Sequence, residues 1–123
     1  MADERTFTVD EANALLEQVR DRLTAMREAR RTVLDAGEKV HERAEANGGG
    51  KEGSVYWDAL RVVREGVEWF AQEGIILRDT DSGLVDFPAE RDGRIVQLCW
   101  RLGEPSVGHW HEVDAGFSNR YPL

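Results

Sequence analysis

The sequence predicts an α+β fold in which a long antiparallel helical hairpin is followed by a small antiparallel β-sheet. The main observation is a change in apolar spacing: apolar residues recur every three or four positions up to residue 73, and every second position from residue 75 onward. A glycine-rich stretch at residues 47–53 divides the helical part in two. A chain of 123 residues has the usual size of one domain, so we expect a single domain over residues 1–123.

The first helix is predicted over residues 8–46. Thr8 and Glu11 have the spacing of a capping box, in which each side chain satisfies the backbone amide of the other residue. Asn13 is unfavourable in a helix interior, so we expect it to make a docking contact. Behind the cap, an apolar seam repeats at alternating intervals of four and three, and Arg30 and Gly37 interrupt it. The seam consists of Ala12, Leu16, Val19, Leu23, Met26, Val33 and Val40.

The length of this helix predicts an oligomer. It would span about 55 Å, which is more than the rest of so small a domain can cover. We therefore expect a homodimer in which the helical hairpin packs against a second copy of the chain. The glycine-rich loop over residues 47–53 leads into a second helix over residues 54–73, capped by Ser54 and stopped by Gly74.

The antiparallel sheet is predicted over residues 75–113. Four apolar or aromatic runs, at residues 75–78, 84–87, 94–102 and 107–113, alternate with turn segments rich in Gly, Asp and Ser. Residues 114–123 contain Gly, Asn and Pro in a short space, so we predict an irregular tail there.

Charge and cysteine content narrow the class of protein. The formal net charge of -8 disfavours nucleic acid and anionic membranes as partners, because both repel an acidic surface. No apolar run is long enough to span a bilayer, and the chain starts without an apolar signal core. The single cysteine, Cys99, excludes an intrachain disulfide. We therefore expect a cytoplasmic protein.

Side-chain alternation along the predicted strands sorts the sheet into two faces. Leu98 and Trp100 point to one side of the third strand, together with Val85 and Phe87 of the second and Trp110 of the fourth, and this side is expected to face the helices. The opposite, exposed face is then expected to carry the polar side chains of Asp86, Gln97, Cys99, Arg101, His109 and His111, with Glu104 at its rim.

A metal site is one interpretation of this polar face. His109 and His111 would lie on the same side of a strand, and Asp86 and Glu104 would add carboxylate ligands. Nitrogen and oxygen donors in this mixture suit a divalent transition metal such as zinc, iron or manganese. The alternative is that both histidines are half-exposed strand residues and both carboxylates bind turn amides.

Other side chains are candidates for ligand binding, and each has a simpler structural interpretation. Cys99 could act as a nucleophile beside a histidine, or it could be a small buried apolar residue. Trp110 could line a ligand pocket or belong to the sheet core. Arg120 could bind an anion or pair with an acidic residue. The full predicted ligand-binding set is Asp86, Cys99, Arg101, Glu104, Trp110, His111 and Arg120.

Five motifs, in this order, resemble a bacterial family catalogued as domain of unknown function 2203. They are residues 7–16 (FTVDEANALL), 83–88 (GLVDFP), 98–104 (LCWRLGE), 110–111 (WH) and 116–117 (GF). The resemblance extends over essentially the whole chain, and His109 falls outside the family pattern. It implies candidate residues and a fold but no reaction. The matching positions are Asp86, Phe87, Cys99, Trp100, Gly103, Glu104, Trp110, His111, Gly116, Phe117 and Arg120.

Two functions follow from these observations. The first is a small oligomerising module for binding or assembly, with a polar site on the sheet face. The second is a metal-dependent or acid–base enzyme that uses His111, Glu104 and Asp86. The sequence contains no complete catalytic motif, so whether the protein is an enzyme stays open, as do its ligand and its cofactor.

Overall fold

The α+β fold is confirmed. A computed structural model describes residues 5–46 and 51–123, and within them the side chains of residues 5–36 and 53–123. Two α-helices, α1 (Val9–Ala46) and α2 (Lys51–Glu73), pack against each other as a helical hairpin. A five-stranded antiparallel sheet follows, with the strands in the order of the chain. The strands are β1 (Ile76–Asp79), β2 (Leu84–Arg91), β3 (Arg94–Arg101), β4 (His109–Glu112) and β5 (Tyr121–Pro122).

The two helix starts differ in how closely they match the sequence prediction. Helix α1 begins with the predicted capping box: the Glu11 amide donates to Thr8 Oγ1 at 3.0 Å, and the Thr8 amide donates to Glu11 Oε1 at 2.8 Å. Helix α2 begins at Lys51, three residues before the predicted cap at Ser54. Gly53 lies in its first turn, where the backbone amides need no partner within the helix. Of the predicted loop, residues 47–50 lie outside the described residues.

The seam of α1 is buried inside the chain itself. Leu16, Val19, Leu23 and Met26 are almost fully buried and belong to the core that α1, α2 and the sheet enclose. Helix α2 comes close to α1 at Gly66, where an added Cβ would overlap the Met26 side chain. Because this part of the seam is already covered, a second copy could not use it. A dimer through the hairpin would need another surface.

Residues around the N-terminal end of α1 bind to the sheet and to the loop before β4. The Phe7 amide donates to the Pro88 carbonyl at 2.7 Å, and the Phe7 ring packs edge-on against Phe87. Asn13 makes the expected docking contact, since its Oδ1 accepts a hydrogen bond from the Val107 amide at 2.8 Å. These contacts hold one face of the sheet against the hairpin.

The strand register agrees with the predicted alternation. Phe87 lies opposite Leu98, which lies opposite Trp110, on the face that meets the helices. Asp86 lies opposite Cys99, which lies opposite His109, and these three residues are therefore on the other face. We call this other side the second face of the sheet.

The centre of the second face is buried, and this corrects the predicted exposure of the polar side chains there. Asp86 and His111 are only 1% and 2% exposed, and Cys99 is fully buried. The tail, predicted to be irregular, contains a turn of 3-10 helix at Phe117–Asn119 and the short strand β5, which pairs with β4. A two-residue strand depends on backbone hydrogen bonds rather than on side-chain alternation, so the sequence pattern carries no signal for it.

Candidate functional site

A buried ion pair lies at the centre of the second face. Asp86, on β2, accepts a hydrogen bond from Arg78 Nε at 2.7 Å, and its other oxygen lies 3.0 Å from His111 Nε2. Ile76 lies opposite Asp86 in the β1–β2 register, so Arg78, two residues further along β1, is on the same face as Asp86. The carboxylate therefore lies between a guanidinium group and an imidazole, almost out of contact with water.

The imidazole of His111 is held in one tautomer by the backbone. Its Nδ1 lies 2.7 Å from the Glu112 carbonyl oxygen, which can only accept a hydrogen bond, so Nδ1 carries a proton. In the neutral ring, Nε2 then directs a lone pair at Asp86, whose ionised carboxylate is also an acceptor. Two acceptors 3.0 Å apart need a proton or a cation between them. The geometry thus creates a position for positive charge.

Cys99 completes a cluster of three ligand atoms. The Cys99 sulfur, a carboxylate oxygen of Asp86 and a ring nitrogen of His111 all lie within 4.8 Å of one another. Burial and the negative charge of Asp86 raise the pKa of the Cys99 thiol to about 11, although a hydrogen bond from Arg120 opposes the shift. A thiol with this pKa is neutral at physiological pH, so Cys99 lacks the thiolate that a nucleophile requires.

Glu104, one of the four residues predicted to bind metal, lies in a separate ion pair. Its two oxygens accept hydrogen bonds from the Arg120 guanidinium at 3.1 and 2.7 Å, and one of them also accepts from the Arg101 amide at 2.8 Å. Burial raises the pKa of Glu104, but the hydrogen bonds from Arg120 and Arg101 outweigh it and leave that pKa below its ordinary value. Glu104 fastens the tail to the turn after β3.

His109 does not join the buried cluster either. It lies opposite Cys99 in the strand register, but its ring is half-buried and contributes no ligand atom to the group of Asp86, Cys99 and His111. Its charge instead acts on Glu104, whose pKa it lowers. The four residues predicted to bind metal therefore divide into two pairs: Asp86 and His111 inside, Glu104 and His109 outside.

The remaining predicted ligand-binding residues are separated from the cluster or support it. Trp110 lies on the helix-facing side, where Arg91 and Tyr121 pack on its ring. Arg101 is exposed. Its guanidinium group and that of Arg120 both stack on the ring of Phe117. Arg120 also acts on the cluster, because its guanidinium opposes the rise in the pKa of Cys99.

A cleft of about 270 Å³ opens beside the cluster. Asp86 and His111 form part of its wall, together with Arg78, Leu84 and Val113. Four residues of the tail complete the wall: Asp114, Ala115, Gly116 and Phe117. The cleft therefore borders two of the three cluster residues.

The comparison with protein families now identifies the chain. A family model described as an uncharacterised conserved protein (DUF2203) matches residues 5–123. The chain belongs to this family. No curated protein and no solved structure matches it. The match extends over both helices, all five strands and every residue of the buried cluster.

Two residues of this site were not predicted from the sequence. The sequence predicts a strand for Arg78, but strand alternation alone does not show that its guanidinium reaches Asp86. Phe117 is indicated only by the family resemblance, and its contacts with the guanidinium groups of Arg101 and Arg120 depend on how the tail folds back.

Proposed function

We propose that this protein is a small metal-binding protein that holds a divalent transition-metal ion at Asp86, Cys99 and His111. The observation that carries the proposal is the convergence of three different ligand atoms within 4.8 Å in a buried position. The fixed tautomer of His111 supports it. Metal-binding histidines typically donate their other ring N–H to a carbonyl or carboxylate, as Nδ1 does here to Glu112.

The ligand chemistry favours zinc. One sulfur, one nitrogen and one oxygen donor form a set that Zn²⁺ accepts, with bonds of about 2.0–2.3 Å. A thiolate and a carboxylate would together neutralise a divalent ion, and the ion would replace the thiol proton of Cys99. Arg78 would orient Asp86 through its hydrogen bond to the outer oxygen. The ion would thus fill the position between the two acceptors.

A metal-dependent enzyme is the second candidate, and the cleft favours it. Three protein ligands leave a tetrahedral ion one open position, which catalytic zinc sites use for water or substrate. Asp86 and His111 line the cleft, so that position would be accessible to a small molecule. Because Glu104 is bound to Arg120, the proposed enzyme would use metal-bound water rather than Glu104 as its base.

Self-association stays part of the proposal, through the outer surface of the hairpin. Met26 contacts Gly66. Because the two helices are antiparallel, Leu34, eight residues after Met26, lies level with Asp58, eight residues before Gly66. Leu34 and Trp57 are 61% and 66% exposed at this level. We propose that the two side chains together offer an apolar patch to a second copy of the chain.

Sedimentation equilibrium tests the dimer. We expect twice the chain mass of 13.9 kDa for the natural sequence and a monomer for Trp57→Glu. Gln18→Glu adds a negative charge at an exposed position of α1 and is the matched control. A monomer at every protein concentration would contradict self-association.

Localisation and partners other than a second copy also stay predictions. None of the described helices is long and apolar enough to cross a membrane. A cytoplasmic location is proposed for a chain whose one cysteine can form no intrachain disulfide, and the net charge of -8 continues to argue against nucleic acid.

Elemental analysis tests the metal proposal. We expect about one equivalent of transition metal in protein purified without chelators, and loss of the metal in both Cys99→Ala and His111→Ala. His109→Ala is the control, because His109 belongs to the predicted set but not to the buried cluster. Equal metal content in all four proteins would overturn the proposed site.

A further inference from the structure

A second cleft, larger than the first, lies where the second face meets the end of α2. Its volume is about 650 Å³, within the usual range of small-molecule sites. Ile76, Pro88, Ile95 and Gln97 contribute to its lining from the sheet, and Ala71 contributes from α2. Most of its accessible surface is apolar. Asp86, Cys99 and His111 are not part of its lining.

One polar atom in this lining has no partner. Gln97 is only 5% exposed, and its Oε1 is buried without a hydrogen bond from any residue that the structure describes. A buried acceptor left without a donor costs folding free energy, and most such groups in proteins are paired. Gln97 lines the cleft, so a half-turn of its terminal amide would bring this oxygen to the cleft surface, where a ligand would supply the donor.

The cleft offers no net charge to a ligand. Arg5 is the only ionisable residue in its lining, and Arg5 Nη1 is bonded to the Glu73 carboxylate at 3.0 Å and to the Glu73 carbonyl at 3.2 Å. The Arg5 guanidinium also stacks on the Phe7 ring. A charged ligand would therefore lose its hydration without gaining an opposite charge, and a neutral ligand is favoured.

We infer that this cleft binds a small neutral molecule with an apolar body and one N–H or O–H donor, which bonds to Gln97 Oε1. The apolar lining would cover the body of the ligand, and the amide oxygen would fix its orientation. This site is independent of the proposed metal centre, so its test is made with metal-free protein in the presence of a chelator.

Indole and benzofuran are suitable probes, because they share a shape and differ in one atom. Indole has an N–H donor where benzofuran has an oxygen that can only accept. Ligand-observed and protein-observed NMR titrations would give both dissociation constants and the residues that shift. We expect indole to bind about tenfold more tightly than benzofuran, which is the worth of one neutral hydrogen bond.

Two variants locate the effect. Gln97→Met keeps the length of the side chain and removes the acceptor, so indole should lose its advantage while benzofuran binds as before. Ala71→Phe should weaken both probes, because Ala71 is an exposed helical residue at the cleft and a larger side chain would fill it. Gln18→Met, at an exposed position on α1, is the control and should change neither constant.

Three outcomes would overturn the inference. The first is absence of indole binding up to its solubility limit. The second is equal or tighter binding of benzofuran. The third is an unchanged preference for indole in Gln97→Met. Because the metal is removed throughout, none of these outcomes bears on the proposed metal site.

Discussion

The two faces of the sheet both have a buried centre but differ in what covers it. The helix-facing side presents Phe87, Leu98 and Trp100, and two long helices with apolar stripes cover it. The second face presents Asp86 and His111 at similar burial, and the tail folds back towards it. Burial alone therefore does not decide polarity. The helix-facing side is stabilised by contact with any apolar surface, such as the apolar stripes of the two helices. The second face carries charged groups, and each of them needs a partner of opposite charge or a hydrogen bond.

The second face contributes less to stability than its burial suggests. Moving Asp86 out of water is costly, and the contacts to Arg78 and His111 offset that cost without a large surplus. Apolar residues at all the cluster positions would avoid that cost, whereas an apolar residue at position 86 alone would leave His111 buried without its partner. A buried ionic cluster that adds little net stability is a candidate functional feature, and this is the physical reason for proposing the site here.

The largest expected effect is on the helix-facing side. Phe87→Ala should lower the free energy of unfolding by about 3–5 kcal/mol, because it leaves a cavity in the core and removes the ring contact to Phe7. Ile95 is an exposed residue of the second face, and Ile95→Ala should lower the free energy of unfolding by less than about 1 kcal/mol. Urea unfolding followed by circular dichroism measures both. Similar losses for the two variants would contradict the contrast between the faces.

The reactivity of Cys99 tests how well the tail closes the second face. In metal-free native protein at neutral pH, iodoacetamide should react with Cys99 at least about 100-fold more slowly than in unfolded protein, because the thiol is buried and must be exposed by local opening. The burial that raises its pKa to about 11 acts in the same direction. Cys99 is the only cysteine, so mass spectrometry of the whole chain gives the rate. Alkylation at the rate of the unfolded chain would show an open face.

A smaller and pH-dependent effect is expected for the ion pair that fastens the tail. Glu104→Gln should lower the free energy of unfolding by about 1–3 kcal/mol at pH 7, since it leaves the largely buried Arg120 without its carboxylate. The pKa of Glu104 is lower in the folded protein than its ordinary value. The carboxylate therefore stabilises the protein above the ordinary pKa, and this contribution is lost as the pH falls through the folded value.

The control for this prediction is Glu90→Gln, at an exposed position of β2. Urea unfolding at pH 7 and at successively lower pH should show the difference between Glu104→Gln and the natural protein shrink, while Glu90→Gln stays close to the natural protein throughout. A difference that is constant with pH would mean that the Glu104 charge does not contribute.

The fold was predictable because its main elements have strong local signals. The Thr8–Glu11 capping box and the seam from Ala12 to Met26 specify α1, and the alternation through Leu98 and Trp100 specifies β3. The tail was not predictable, because its strand has two residues and its position depends on long-range contacts such as that between Arg120 and Glu104. Long-range ion pairs leave no periodic pattern in a sequence.

The site was predictable only in part, for the same reason. Alternation placed Asp86, Cys99 and His111 on one face, and the strand register brings them together there. Alternation cannot give the direction of a side chain within its face. It therefore grouped Glu104 and His109 with the cluster, although Glu104 is bound to Arg120 at the turn and His109 contributes no ligand atom.

The most direct test of the metal site is a titration of metal-free protein with Co²⁺, followed by absorption spectroscopy. We predict a thiolate-to-cobalt charge-transfer band that saturates near one equivalent, disappears in Cys99→Ala, and persists in His109→Ala and Glu104→Gln. The absence of this band in the natural protein, or its persistence in Cys99→Ala, would contradict a metal centre formed by Asp86, Cys99 and His111.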